Sequence, residues 1–161
     1  LMNIILGEGM SSRLFLEVRE KQGLAYDVHS SLDQFLDCGS LIVYCGSKPA
    51  SGTKALEAVL GQLRGIREGV SESEVEKAKE LSKGRLLLRM EDTRSVAMWT
   101  GAQELLLRAV LKVEDVVDQL DGITVDDVNR VATDIIREEH LNLAVVGPFR
   151  SNRQFRELLR L

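Results

Sequence analysis

The sequence predicts an α+β fold, in which a β-hairpin precedes a run of helices. Two stretches between residues 24 and 46 are rich in β-forming residues, and a turn around residues 37–39 separates them, so they should pair as an antiparallel hairpin. The rest of the chain is mainly helical in its periodicity, which gives about three strands against six or seven helices and is typical of α+β architecture. The 161 residues are enough for one domain with a substantial core.

Two helices joined by a glycine loop open the chain. Residues 1–6 are apolar and stop at Gly7, as the last turns of a helix would. Ser11 or Ser12 can cap the second helix through its hydroxyl, and Gly23 should end that helix in the left-handed conformation. The apolar face of this second helix consists of Leu14, Phe15, Val18 and Gln22.

The two strands of the hairpin differ in their pattern. The first begins at Leu24, and regular alternation would place Tyr26, Val28 and Ser30 on one face. The second, Ser40–Gly46, is a mostly continuous apolar run, which suits a strand covered on both faces.

Helices should dominate the chain after the hairpin. One helix ends near Gly69, and the next has a capping-box pattern formed by Ser71 and Glu74 and continues to Met90. The solvated face of this next helix is expected to carry Lys77, Lys79 and Lys83.

The last third of the chain predicts further helices and one strand. Residues 96–110 are strongly apolar and indicate a core helix, in which Met98 and Trp99 are core residues. A brief helix follows, and Thr124 is the cap of another. Apolar alternation over residues 141–148 predicts a final strand, and an amphipathic helix closes the chain.

Composition and charge exclude two classes of partner. The net charge is −4 and the basic residues are scattered, so no nucleic-acid surface is expected. No stretch approaches the ~20 apolar residues of a membrane helix, so no membrane is expected either. Cys38 and Cys45 lie seven positions apart, which places them on opposite faces of a strand and argues against a disulfide. Reduced thiols fit a cytoplasmic setting, with the mitochondrial matrix as the less favoured alternative.

The histidines do not form a zinc-peptidase motif. A site of the type His-x-x-Glu-His places two histidines four positions apart on one helix, with a carboxylate beside them. The two histidines of this chain are His29 and His140. Glu139 and His140 match the last two letters, but Ile136 stands where the first histidine is needed. We therefore interpret His140 as a helix-end residue and His29 as a structural strand residue, and we predict no metal site in this chain.

Two motifs near the start of the chain carry a resemblance to a known family. Residues 9–15 read Gly-Met-Ser-Ser-Arg-Leu-Phe, and residues 18–26 read Val-Arg-Glu-Lys-Gln-Gly-Leu-Ala-Tyr. They resemble the C-terminal, non-metal half of pitrilysin/insulinase-like (inverzincin) zinc peptidases of the mitochondrial-processing-peptidase-like type. The resemblance continues through residues 37–44, 74–79 and 145–148. At Glu8 the chain departs from the family, whose members usually carry a third glycine in this loop.

The resemblance implies that residues 1–161 are the C-terminal peptidase-like domain of a clamshell, with a partial mixed or antiparallel sheet, helices on one face and the first strands absent. It implies a zinc-dependent endopeptidase of the processing type, whose zinc is bound by an N-terminal half outside this chain. This segment alone is then expected to be inactive and to hold no cofactor. Its partners would be unstructured peptide substrates and the zinc-binding half or a partner subunit, and a homodimer is also allowed.

The resemblance assigns roles to Arg19 and Tyr26. In the family, an arginine and a tyrosine at this spacing reach across the clamshell, where the tyrosine hydroxyl stabilises the oxyanion of the tetrahedral intermediate and the arginine holds the substrate backbone. Both groups are donors that suit developing negative charge. A structural alternative stays open, in which Arg19 pairs with Glu17 or Glu20 on a solvated helix and Tyr26 packs on the core.

A second function also stays open at this point. The chain could belong to a non-catalytic family member that acts as a scaffold or partner subunit of a heteromeric complex. The presence of Arg19 and Tyr26 favours the catalytic hypothesis, because a scaffold has no need of that pair. A His-x-x-Glu-His motif in the preceding half would decide between the two.

Overall fold

The computed structural model describes all 161 residues, and the chain divides into two compact units. The larger unit comprises residues 2–70 and 126–161, and the smaller comprises Leu1 with residues 71–125. The predicted α+β class is confirmed, with one two-stranded antiparallel sheet among the helices. None of the helices combines the length and the apolar character that crossing a bilayer requires.

The secondary structure begins with a short helix and the glycine loop, as the sequence predicts. In chain order the elements are α1 (Met2–Gly7), a π-helix (Phe15–Lys21), β1 (Ala25–Gln34), β2 (Gly39–Ser47), α2 (Gly52–Glu68), α3 (Glu72–Arg89), α4 (Thr93–Leu107), α5 (Val113–Gly122), α6 (Val125–Ile135) and α7 (Arg153–Leu158). Short 3-10 turns lie at Pro49–Ser51 and Glu138–His140.

The core of the larger unit lies where α1, the π-helix and α2 meet the inner face of the hairpin. Leu6, Leu14 and Val18 are completely buried there. Burial of each such side chain contributes about 1.5–3 kcal/mol. Ser30 is the buried polar residue of β1, and its hydroxyl donates to the side-chain oxygen of Asn3 at 2.7 Å. This bond fixes β1 against α1 and satisfies a polar group that would otherwise be costly to bury.

The second strand is less covered than its apolar sequence suggests. No residue of β2 is buried, so the prediction of a strand covered on both faces is wrong. The side chains opposite Ser31 and His29 of β1 are Ile42 and Tyr44, and they are 43% and 51% exposed. Helices cover the other face of the hairpin, which agrees with a partial sheet that has helices on one face.

The predicted strand over residues 141–148 is wrong, because this segment contains no strand. Apolar alternation describes a face, but a strand also requires a neighbour that supplies backbone hydrogen bonds. The one ladder of the chain joins β1 to β2, and the segment leaves Val146 fully exposed. The predicted terminal helix is present as α7, which packs on α2 through the buried Phe155.

The helices of the smaller unit begin at well-formed caps. The capping box predicted at Ser71 is confirmed, since the backbone N–H of Glu74 donates to the Ser71 hydroxyl at 3.3 Å and Ser71 N–H donates to the Glu74 carboxylate at 2.8 Å. Asp92 caps α4 by accepting from the backbone N–H of Ser95 at 2.8 Å. Hydrogen bonds from the Ser95 hydroxyl and N–H hold the pKa of Asp92 below its usual range.

Two predictions for the smaller unit are wrong. No residue of α4 is buried, and Met98 is 68% exposed, so α4 is not a core helix. An apolar run identifies a helix surface but does not supply the neighbours that would cover it. Lys79 is buried rather than solvated, because its ammonium donates to the carboxylate of Glu76 and to the carbonyl of Asp121, both at 3.0 Å. A paired lysine can be buried in this way, whereas an unpaired one rarely is.

A glycine inside α3 offers a test of this helix. We expect Gly84→Ala to raise the free energy of unfolding by about 1 kcal/mol, because alanine is the better helix former and the added Cβ would meet nothing within 4 Å. Thermal unfolding followed by circular dichroism measures the change. Gly69→Ala is the matched control of opposite sign, since Gly69 has a φ of 140°. A lower Tm for Gly84→Ala than for the unchanged protein would contradict this prediction.

Candidate functional site

The helix that carries Arg19 is a π-helix and not an α-helix. Its last turn has the wide hydrogen bond of that geometry, since Gln22 N–H donates to the carbonyl of Glu17, five residues earlier, at 3.1 Å. Gly23 has a φ of 60°, and Leu24 N–H donates to the carbonyl of Val18 at 2.9 Å. The predicted glycine stop is therefore confirmed. Single turns of π-helix occur frequently at functional sites.

Ser12 stands at the start of this helix, as predicted, because helical residues begin at Arg13 and the Ser12 carbonyl accepts from the Leu16 N–H at 3.0 Å. The π-helical segment itself, which follows Leu14, has no side-chain cap. The hydroxyl of the buried Ser12 instead donates to the carbonyl of Gly9 at 2.7 Å. Ser12 thus closes the glycine loop on itself. The loop is also tied through Glu8, whose carboxylate accepts a hydrogen bond from the side-chain amide of Asn3 at 3.1 Å.

Tyr26 lies in a β-bulge at the start of β1. Ala25 is opposite Ser47 and Asp27 is opposite Gly46, so Tyr26 has no partner on β2. A bulge inserts one extra residue and changes the direction of the side chains beyond it. Tyr26 is 86% exposed, whereas Val28 is buried. The sequence-based placement of Tyr26 on the same face as Val28 and Ser30 is therefore wrong.

The structure brings Arg19 and Tyr26 together across the end of the π-helix. The guanidinium carbon of Arg19 lies 5.6 Å from the centre of the Tyr26 ring and 4.9 Å from the centre of the Phe15 ring. Both distances are within the range of a cation–π interaction, which is worth about 0.5–1 kcal/mol at an exposed site. The Arg19 side chain is 41% exposed, so the arginine and the tyrosine are both open to a partner.

The structural alternative for this pair is only partly realised. Arg19 Nε lies 3.9 Å from a carboxylate oxygen of Glu20, which is a long, exposed contact of little energetic value. Glu17 does not pair with Arg19, because its carboxylate accepts from Lys21 at 2.8 Å and from Gln22 at 3.0 Å. These two hydrogen bonds lower the pKa of Glu17. Tyr26 does not pack on the core.

Two features of the site were not predicted from the sequence. Phe15 contacts Arg19, and its position four residues before Arg19 on a helix was the available signal. The second feature is an open cavity of about 470 Å³ beside Tyr26, on the side where the hairpin begins and ends. The residues that line the cavity are Gly23, Leu24, Ala25, Tyr26, Gly46, Ser47, Lys48 and Ser51. Small residues dominate this lining, and only the fold brings them together.

The side chains of this chain do not fit a zinc ion. No group of three or more His, Cys, Asp and Glu side chains could hold a metal. Nδ1 of His29 lies 3.2 Å from the Asp27 carboxylate. The His29 ring stacks on the Tyr44 ring, with 5.2 Å between the two ring centres. His140 ends an exposed 3-10 turn, while Ile136 is buried, so these two positions do not share a helix face.

Cys38 and Cys45 are free thiols, and burial together with the charge of Asp27 raises the pKa of Cys45.

The fold and the site define a class: an α+β domain that presents exposed hydrogen-bond donors and has no ligand set for a metal. The chain belongs to the peptidase M16 family, as the part described as the peptidase M16 inactive domain, whose family profile matches residues 1–82. The resemblance inferred from the sequence is thereby confirmed.

Individual relatives agree with this assignment. A protein of Streptomyces coelicolor named as an uncharacterized zinc protease is 36% identical over 156 residues, which are 96% of this chain and 34% of the relative. A conserved protein from Enterococcus faecalis has a TM-score of 0.74 at 29% identity, over 81% of this chain and 31% of that one. The peptidase M16 inactive domain from Pseudomonas fluorescens has a TM-score of 0.74 at 25% identity. The match covers 87% of this chain and 32% of that one. The chain spans about a third of the length of the curated relatives that it matches.

Proposed function

We propose that this chain is the substrate-binding, non-metal domain of a zinc-dependent endopeptidase of the processing type. The observation that carries the proposal is the pairing of Arg19 with an exposed, bulge-presented Tyr26. The names of the relatives imply zinc in the complete enzyme, and the donor set of this chain does not fit that ion. The zinc would therefore be bound by an N-terminal half or by a partner subunit. We propose the bacterial cytoplasm as the location of the complete enzyme.

The chemistry of the two side chains suits peptide hydrolysis. Attack on a peptide carbonyl produces an oxyanion, and a phenol positioned beside it donates a hydrogen bond that strengthens as the charge develops. A guanidinium offers five donors in a fixed plane, which can hold the carbonyl oxygens of an extended substrate backbone. Because backbone groups are accessible in unstructured peptides, we propose unstructured peptides as substrates. Tyr26 would act on the transition state and Arg19 on the position of the substrate.

A scaffold function in a heteromeric complex, or in a homodimer, is the alternative. It is favoured by the exposed apolar residues of α4, where Leu105, Leu106 and Leu107 are 82%, 54% and 62% exposed. Such a surface on one element is typical of an interaction site. The scaffold hypothesis assigns no task to Arg19 and Tyr26, and for that reason we favour the catalytic one.

The first test is metal content and peptide hydrolysis by the complete gene product. We expect about one zinc ion per protein, cleavage of unstructured peptides, and loss of cleavage on chelation. The 161-residue chain alone is the matched comparison, and we expect it to cleave nothing. Chelator-sensitive cleavage by the chain alone would contradict the assignment of the zinc site to another segment. A complete protein with neither zinc nor cleavage would favour the scaffold.

A further inference from the structure

The guanidinium of Arg19 lies over the rings of two aromatic side chains that differ in their surroundings. Tyr26 is 86% exposed and belongs to β1. Phe15 belongs to the same π-helix as Arg19, is partly buried, and follows the completely buried Leu14 in the chain. Its ring is the nearer of the two, at 4.9 Å against 5.6 Å from the Arg19 guanidinium carbon.

No ion pair of good geometry holds Arg19 in place. The contact with Glu20 is 3.9 Å long, beyond hydrogen-bond distance. Glu17 is occupied by Lys21 and Gln22 and does not draw the guanidinium away from the rings. An arginine side chain has large rotamer entropy, so an exposed one needs a packing surface to keep one position. The two ring faces are the surface that this site provides.

The two rings would not contribute equally once substrate is bound. Under the proposed function, Tyr26 is engaged by the reacting carbonyl, so its ring is not free to adjust to Arg19. Phe15 has no donor or acceptor to engage, and its place on the helix fixes the face that it offers. The planar guanidinium matches that face, and stacking leaves its N–H donors free at the edges.

We propose that Phe15 is a positioning residue for Arg19, which it holds in the orientation that receives the substrate backbone. This inference rests on the proposed function for its catalytic consequence, but the stacking itself can be tested without any activity. Phe15 touches no reacting atom. Its effect on the reaction should therefore pass through Arg19 alone.

The first measurement is the NMR signal of the Arg19 side-chain N–H in the complete gene product labelled with ¹⁵N-arginine. Two ring faces near the guanidinium should displace this signal from the position of free arginine. We expect Phe15→Leu to remove most of the displacement and Phe15→Tyr to retain it. Phe35→Leu is the matched control, because Phe35 is 68% exposed and lies in the turn between β1 and β2. An unchanged signal in Phe15→Leu would overturn the proposal, whatever the activity.

The second measurement is a double-mutant cycle in peptide hydrolysis. We expect Phe15→Leu to lower kcat/KM about twofold to fivefold, which corresponds to the loss of one exposed cation–π contact. In an Arg19→Ala background the same change should have no further effect, whereas a merely structural role would lower activity in both backgrounds. Equal effects in both backgrounds would overturn the positioning role. If Arg19→Ala itself leaves hydrolysis unchanged, the proposed function fails, and the catalytic part of this inference fails with it, while the NMR result still decides the stacking.

Discussion

Tyr26→Phe in the complete gene product is expected to lower kcat by roughly 10²–10³-fold while KM stays nearly constant. The magnitude is that of removing one preorganised donor from an oxyanion site. The substitution is informative because it deletes only the hydroxyl. The ring that lies 5.6 Å from the Arg19 guanidinium remains, so Arg19 keeps its place. An interaction made only in the transition state should appear in kcat and not in substrate binding.

Steady-state kinetics on an unstructured peptide measures this effect, and the chain supplies its own control. The second tyrosine, Tyr44, lies on β2, is 51% exposed and stacks on His29. Tyr44→Phe removes the same atom from a neighbouring strand, and we expect kcat to remain unchanged. If the two variants have the same kcat as the unchanged enzyme, Tyr26 does not contact the oxyanion. If both lose activity equally, the loss reflects the hairpin rather than the bulge.

The order and type of most elements could be predicted because local chemistry determines them. Gly23 ends its helix because a glycine, which has no Cβ, adopts a φ of 60° at little steric cost, and a single residue in the sequence indicates this. Ser71 and Glu74 form their capping box through contacts three residues apart. The partnership of Arg19 with Tyr26 followed from the family resemblance, and spacing alone would have allowed Tyr26 a place in the core.

The geometry that presents Tyr26 could not be predicted in the same way. A bulge depends on the register of two strands. Here the extra residue follows from the pairing of Ala25 with Ser47 and of Asp27 with Gly46, which no local pattern specifies. Gly46 was the one local signal, because a glycine inside a strand often marks a bulge. Similarly, an apolar stripe at helical spacing does not separate an α-helix from the π-helix that carries Arg19.

Burial proved harder to predict than secondary structure. Residues 141–148 and α4 have strongly apolar sequences, yet the first forms no strand and the second has no buried residue. In both cases the pattern reports what a segment could bury, while burial itself depends on neighbours that no local pattern contains. Lys79 shows the opposite error, since its burial depends on an acceptor 42 residues away at Asp121.

Gly7→Ala is expected to destabilise the larger unit by about 1–3 kcal/mol, the usual cost of overpacking a filled core. Gly7 is buried where α1 meets β1, and an added Cβ would lie 2.5 Å from the backbone nitrogen of Ser30 and 2.8 Å from the Leu14 side chain. A backbone atom cannot move aside as a flexible side chain can. The strand must therefore shift, and the hydrogen bond from Ser30 to Asn3 lengthens with it.

Chemical denaturation of Gly7→Ala measures this cost, and Gly61→Ala is the matched control. Gly61 lies inside α2, where an added Cβ would meet nothing within 4 Å, so we expect alanine to stabilise the helix by up to about 1 kcal/mol. The same substitution should thus have opposite signs at two glycines of one unit. If Gly7→Ala is as stable as Gly61→Ala, α1 and β1 are not in the close contact described. Destabilisation confined to Gly7→Ala would establish that this glycine holds the strand of Tyr26 against α1.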